Sequence, residues 1–224
     1  MRQQGAGIGA LFVLAPRLQS TATQPDGSLM MLARRPPLVR RALAAFAVTA
    51  CLGAIAQQPQ RLELCAACHG PQGLSRDPAI PSLAGQPKIF LENQLVIIRE
   101  GLRDVPQMRG TLDGLKDPDL TALANYFASQ PAPQPAAGPV NEARFQRGKE
   151  LARSALCGTC HLPDYSGRQQ VPRLAGQHER FLLDSMKSFR DHPGPGRDTI
   201  MSAALFGIPD AQLEDLAHFF AHMK

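Results

Sequence analysis

The sequence predicts an all-α protein made of two tandem helical domains. Three observations carry this. Apolar residues recur at helical spacing, with charges between them, over 87–100, 118–129, 178–190 and 211–222. No segment alternates apolar and polar residues for long enough to make a strand. The second half also repeats the first in units too long for a solenoid, which marks a duplicated domain.

In chain order, residues 1–29 show no organised pattern and read as an unstructured leader or an over-extended start. Residues 30–56 read as a secretory signal peptide. Arg34, Arg35, Arg40 and Arg41 form its positive region, residues 42–56 its apolar stretch, and Ala54-Ile55-Ala56 a small-residue cleavage site. Val48-Thr49-Ala50-Cys51 also fits a lipoprotein box. Three outcomes therefore stand open: cleavage after Ala56, a lipid anchor at Cys51, or a retained membrane anchor. All three place the folded part in the periplasm.

The formal charge of +5 belongs to this segment. Removing Arg2, Arg17, the four signal arginines and Asp26 from 24 Lys+Arg and 19 Asp+Glu leaves 18 of each. The mature chain is neutral, and no nucleic-acid partner is expected.

The exported part divides into 57–130 and 140–224 at a linker, 131–139, with the sequence Pro131-Ala-Pro-Gln-Pro-Ala-Ala-Gly-Pro139. Proline at this density favours extended, semi-rigid geometry. The repeat is anchored on Pro81-Ser-Leu-Ala-Gly-Gln86 and Pro172-Arg-Leu-Ala-Gly-Gln177. It continues through Phe90/Phe181, Leu91/Leu182 and Arg99/Arg190, then, after one inserted residue, through Met108/Met201, Asp117/Asp210 and Phe127/Phe220. Asp117 and Asp210 precede the last helix of each unit and are expected to cap it. A further helix over about 141–156 has no full counterpart in the first unit. Domains this small have thin cores and need a staple, yet the chain has no tryptophan.

The cysteines supply the staple. Four of five lie in Cys65-Ala-Ala-Cys68-His69 and Cys157-Gly-Thr-Cys160-His161; the fifth, Cys51, is in the signal, so none remains for a disulfide. Two thiols three positions apart on a helical turn can each add to one vinyl group of a haem, and the next histidine places its imidazole on the iron. This is the attachment signature of haem c. A zinc knuckle would want more ligands at suitable spacing, and a redox dithiol has no need of the histidine twice.

Each iron also has a candidate sixth ligand, since Met108 lies 39 residues after His69 and Met201 lies 40 after His161. A thioether favours reduced iron and raises the potential. Methionines also fill core gaps, a reading that suits Met186 and Met223. Pro81 and Pro172 follow His69 and His161 by 12 and 11 residues, so their carbonyls are candidates to accept each ligand histidine's other N–H; alternatively each only turns its loop. His218 and His222 read as surface or structural residues, and His192 as a weak competitor ligand. Arg99 and Arg190 could meet haem propionates or lie on a solvated helix face.

The paired CxxCH…PxLAGQ…M layout, ending in Leu123-Ala-Asn-Tyr-Phe127 and Leu216-Ala-His-Phe-Phe220, resembles the cytochrome c4 family over essentially all of 57–224. The resemblance implies two class I cytochrome c folds related by a pseudo-twofold axis, their haems facing across the domain interface, with His/Met ligation at both irons. It implies an electron carrier rather than an enzyme, taking electrons from a quinol-oxidising complex to a terminal oxidase or reductase. Two other roles compete: the haem subunit of an oxidoreductase, such as a flavocytochrome sulfide dehydrogenase, and a two-haem peroxidase, which the matched methionines disfavour. The sequence departs from the pattern where His161-Leu162-Pro163 replaces His69-Gly70, so that turn is expected to be built differently. The helix before Cys65 also looks truncated.

Overall fold

The computed structural model describes residues 59–223. The segments read above as a leader and a signal peptide, with Cys51, lie outside them. Eight helices occur among the described residues: α1 (Leu62–His69), α2 (Lys88–Arg99), α3 (Asp117–Ala128), α4 (Glu142–Ser154), α5 (Cys157–His161), α6 (Glu179–Asp191), α7 (Thr199–Leu205) and α8 (Asp210–His222). Two short 3-10 turns, Pro71–Gly73 and Pro106–Met108, lie in the first half. The only pairing of strand type among these residues is an isolated bridge between Arg168 and Val171.

The two halves bury separate cores. In the first, Leu91 of α2 meets Leu120, Leu123 and Phe127 of α3 and the loop residues Leu112 and Leu115. In the second, Leu182 and Met186 of α6 meet Leu213, Leu216 and Phe220 of α8. Each such side chain, fully buried, is worth about 1.5–3 kcal/mol, and it is the helical spacing of these residues that brings them to one face.

The second half is extended by α4, which crosses α8 so closely that a Cβ on Gly148 would sit 2.1 Å from the Asp215 carbonyl oxygen. Above that crossing, Asp215 is held by Arg147 through two bonds of 2.7 and 2.8 Å.

Asp117 and Asp210 are not the caps that the sequence suggested. Both lie inside the first turn, and the residues ahead of them are Lys116 and Pro209. In α3 the carboxylate of Asp119 reaches back to the Lys116 N–H at 2.8 Å. Asp117 and Asp210 instead face Arg99 and Arg190. Arg99 spans Asp117 (2.8 Å) and the Leu115 carbonyl (3.1 Å); Arg190 spans Asp210 (2.7 Å) and the Ile208 carbonyl (2.7 Å). Arg99 thus latches α2 to the start of α3, and Arg190 latches α6 to the start of α8.

The turn after the second motif matches the first at its two ends and differs between them, where Gln72 (φ 59°) has no left-handed counterpart at Asp164. Gly70 has φ 80°, ψ 163°, and Leu162 has φ 71°, ψ 159°. Three residues later, Gly73 (φ 80°) corresponds to Tyr165 (φ 53°). The Gly73 carbonyl accepts from Leu83 and Ala84, and the Tyr165 carbonyl from Leu174 and Ala175. The path is one that glycine takes freely and other residues take under strain. The second half accepts that strain and gains the Tyr165 ring, which packs edge-on against Phe219 at 5.5 Å.

The Pro81–Gln86 and Pro172–Gln177 loops face each other about a pseudo-twofold axis. Phe90 N–H donates to the Gln169 carbonyl (2.9 Å), and Phe181 N–H to the Pro78 carbonyl (3.0 Å). The linker passes over both loops, and there each glycine is needed. A Cβ on Gly85 would meet Ala132 at 2.7 Å, and one on Gly176 would meet the Pro133 carbonyl oxygen at 2.6 Å. The N–H groups of Gly85 and Gly176 each bond the last helix of their own half, at the Phe127 and Phe220 carbonyls (both 3.0 Å).

Candidate functional site

Helix α1 presents Cys65, Cys68 and His69 on one turn, and α5 presents Cys157, Cys160 and His161 likewise. None of these four cysteines is in a disulfide. Cys65 and Cys157 lie against the two cores, and burial pushes both thiols up in pKa. The S–H form is the one that adds across a vinyl double bond to give a thioether.

The approach to the motifs differs. Arg61, just ahead of α1, has φ 61° and its guanidinium bonds the carbonyls of Thr111 (2.7 Å) and Asp113 (2.6 Å). In the second half α4 ends at Ser154, and Leu156, with φ 57°, starts the separate helix α5. Arg61 therefore ties the first motif to the loop after Met108, where the second half uses a helix.

His69 and His161 are buried. The Nδ1–H of His69 donates to the Pro81 carbonyl at 2.9 Å, and that of His161 to the Pro172 carbonyl at 2.8 Å. A carbonyl can only accept, so the proton of each ring is on Nδ1 and the lone pair is on Nε2. Burial lowers both pKa values, partly offset by these bonds, and keeps the rings neutral.

Met108 ends the 3-10 turn and packs on the first core; Met201 lies in the first turn of α7 and packs on the second. Helix α7 was not foreseen. Asp198 starts it by accepting from the N–H groups of Ile200 (2.8 Å) and Met201 (3.2 Å). A cleft of about 260 Å³ opens beside Met108, with Ile98, Arg103, Val105 and Leu112 in its wall. A neutral imidazole with its lone pair free, a thioether on a separate segment and two thiols one turn apart form a donor set that fits haem c in each half.

Arg99 and Arg190 are engaged in the latches described above. His192 is exposed at the end of α6. His218 is not on the surface: it is buried, and its two ring nitrogens are both engaged. Asn141 N–H donates to Nε2 (3.1 Å), which fixes the proton on Nδ1, and Nδ1–H donates to Glu179 (2.8 Å). Glu179 is also paired with Arg144 at 3.0 Å, and His222 Nδ1–H donates to the His218 carbonyl (2.9 Å). Glu179, His218 and His222 have a grouping that could hold a cation. Yet a metal on Nδ1 of His218 would put the proton on Nε2, against the Asn141 N–H. The cluster is a structural clasp between α6, α8 and the start of α4.

Sequence reasoning gave no role to Gln86 and Gln177, although both stand in the repeated motif. They are almost fully buried at the seam, and each bonds the backbone of the opposite half. The available signal was that a polar residue recurs at a fixed place in a short apolar motif. Arg103 was also missed. It is bonded to Gln94, and its guanidinium is lowered in pKa by burial and by Arg197 of the other half.

Comparison with known proteins gives a consistent result. The family model for cytochrome c matches twice, over residues 60–131 and 145–224. The chain is 36% identical to cytochrome c4 of Azotobacter vinelandii over 143 residues, 57% of this chain and 68% of that protein. It is 31% identical to a thiosulfate dehydrogenase electron acceptor of Thiomonas intermedia, covering 74% of this chain and 81% of that one. The crystal structure of reduced recombinant cytochrome c4 from Pseudomonas stutzeri superposes with a TM-score of 0.68 at 30% identity, covering 75% of this chain and 97% of that chain. With two cytochrome c domains, two CxxCH motifs and two covalently bound haems c, the chain belongs to the cytochrome c4 family of electron-transfer proteins.

Proposed function

We propose that this dihaem cytochrome is a periplasmic carrier that takes electrons from a quinol-oxidising complex and passes them to a terminal oxidase or reductase. In this reading the Nε2 atoms of His69 and His161 and the thioethers of Met108 and Met201 are the axial ligands, and Cys65, Cys68, Cys157 and Cys160 carry the thioether links. The carbonyls of Pro81 and Pro172 hold the two imidazoles. The haem groups supply one-electron chemistry at each iron. What this chain supplies is the fixed ring orientation, the neutral imidazoles and a sulfur from a second segment.

The observation that carries the proposal is the match between the two halves. Both imidazoles are buried and held by a proline carbonyl at nearly the same distance, and both methionines pack on the core of their own half. Two saturated sites suit electron transfer; a peroxidase needs an open position on one of them. The test is rapid mixing of the oxidised holoprotein with membranes oxidising a quinol. Reduction of both haems followed by reoxidation by a terminal oxidase supports the carrier role, whereas hydrogen peroxide turnover with an electron donor overturns it.

A second reading is favoured by the Thiomonas relative, whose name describes an acceptor for thiosulfate dehydrogenase. Here the electron source is a periplasmic sulfur-oxidising enzyme rather than a quinol-oxidising complex. Reduction by such an enzyme with thiosulfate, faster than by quinol-oxidising membranes, selects it. Intact mass and N-terminal sequencing of native protein decide between cleavage after Ala56, a lipid at Cys51 and a retained anchor.

A further inference from the structure

Two glutamines occupy the seam between the halves in a reciprocal arrangement. The side-chain carbonyl of Gln177 accepts from the Ser82 N–H (2.9 Å), and its amide donates to the Ser82 carbonyl (2.9 Å). The side-chain carbonyl of Gln86 accepts from the Arg173 N–H (2.9 Å), and its amide donates to the Arg173 carbonyl (3.1 Å). Gln86 is 5% exposed and Gln177 2%, so these bonds face little competition from water.

Ser82 and Arg173 are the residues that follow Pro81 and Pro172. One peptide group therefore has two partners. Its C=O, from Pro81, accepts from His69 of its own half, while its N–H, from Ser82, donates to Gln177 of the other half. The Pro172–Arg173 peptide does the same between His161 and Gln86. A carboxamide aligned to both N–H and C=O of one residue at the seam is more than a domain contact, because that residue's N–H belongs to the amide that orients a haem histidine.

We propose that Gln86 and Gln177 are cross-domain positioning residues, each setting the hydrogen bond of the haem histidine in the opposite half and through it that haem's reduction potential. Accepting from an amide N–H shifts electron density in the amide toward its oxygen, so successive bonds strengthen one another. The Gln177 bond thus makes the Pro81 oxygen a better acceptor for His69 Nδ1–H. A more strongly bonded Nδ1–H makes Nε2 a better electron donor, which favours oxidised iron and lowers the potential. Linkage runs both ways. Oxidation of the first iron makes His69 Nδ1–H a stronger donor, which tightens the grip of Gln177 on Ser82.

The inference rests on His69 and His161 being iron ligands, and the experiment separates that premise from the proposal. In the oxidised holoprotein, NMR shows whether the His69 and His161 ring protons carry the large shifts of iron-bound imidazole. Redox titration followed by NMR then assigns one potential to each haem in the wild type, Gln177→Met, Gln86→Met and Gln177→Glu. Gln177→Met is expected to raise the potential of the His69 haem and leave the His161 haem almost unmoved; Gln86→Met does the opposite. Gln177→Glu keeps an acceptor for the Ser82 N–H and is expected to restore most of the loss.

Shifts confined to the variant's own half, equal shifts at both haems, or no shift would overturn the proposal. Ring protons without iron-induced shifts would overturn the ligand assignment instead. If the methionine variants do not fold, wild-type hydrogen exchange decides: Ser82 and Arg173 N–H should exchange more slowly when the haems are oxidised, and equal rates in the two states contradict the coupling.

Discussion

Leu162 takes the backbone conformation of Gly70, with φ 71° against 80° and ψ 159° against 163°. A leucine in that region stores about 1–3 kcal/mol of strain. Leu162→Gly relieves it but adds about 0.5–1 kcal/mol of backbone entropy and removes a half-buried side chain. The two sides nearly cancel, and thermal unfolding of the holoprotein is expected to stay within about 1 kcal/mol of wild type. The reverse change is not symmetrical. A Cβ on Gly70 would sit 1.9 Å from the Leu74 carbonyl oxygen, so Gly70→Ala is expected to destabilise the first half markedly. A Gly70→Ala variant as stable as the wild type would contradict the close approach of the Leu74 carbonyl.

The crossing of α4 on α8 depends on Gly148, whose missing Cβ leaves room for the Asp215 carbonyl. Gly148→Ala forces the helices apart, and overpacking of this kind costs about 1–3 kcal/mol. Chemical denaturation followed at the two haems should show the loss in the second half while the first is unchanged.

Arg190 is expected to act on stability and not on potential. It bonds Asp210 and the Ile208 carbonyl, so Arg190→Met should lower the unfolding temperature and leave both haem potentials near wild type. The latch also has a predictable pH response. Lys187 first, and then Arg190, hold the Asp210 carboxyl below the usual carboxylate range. Because folding lowers this pKa, the contribution is complete above the unfolded value of about 3.9. It is lost as pH falls through the folded value. Asp210→Asn should therefore flatten the acid side of the stability curve; an unchanged acid limb would show that the pair contributes nothing.

Arg61 holds the carbonyls of Thr111 and Asp113, close behind Met108. Arg61→Ala should loosen that loop and let cyanide displace the ligand of the first haem several-fold faster, with the second haem unaffected. Stopped-flow mixing with cyanide measures this. Equal rates in variant and wild type would show that the loop is held by other contacts.

Much of this was legible in the sequence, for identifiable reasons. Helical spacing revealed α2, α3, α6 and α8 because each buries one face. The motif with a histidine next to its second cysteine revealed haem attachment, because few other chemistries use that spacing. Helix α7 was missed because its start depends on Asp198, one cap in a loop rich in Gly and Pro. The Leu162 conformation was missed because propensity reserves it for glycine, whereas here tertiary contacts impose it. Asp117 and Asp210 were read as caps because the rule is local; their partners, Arg99 and Arg190, are 18 and 20 residues away in sequence. The role of the seam glutamines was invisible because it exists only once the halves are face to face.

The central claim is that both irons have the same histidine and methionine pair. The direct measurement is the far-red absorption of methionine sulfur bound to ferric haem, recorded on the oxidised holoprotein and on Met108→Ala and Met201→Ala. Wild type should show an intensity for two haems per chain. Each variant should lose about half of it, with a lower potential at the altered haem and new cyanide binding there. An intensity for one haem or none in the wild type, or an unchanged band in either variant, would contradict the account.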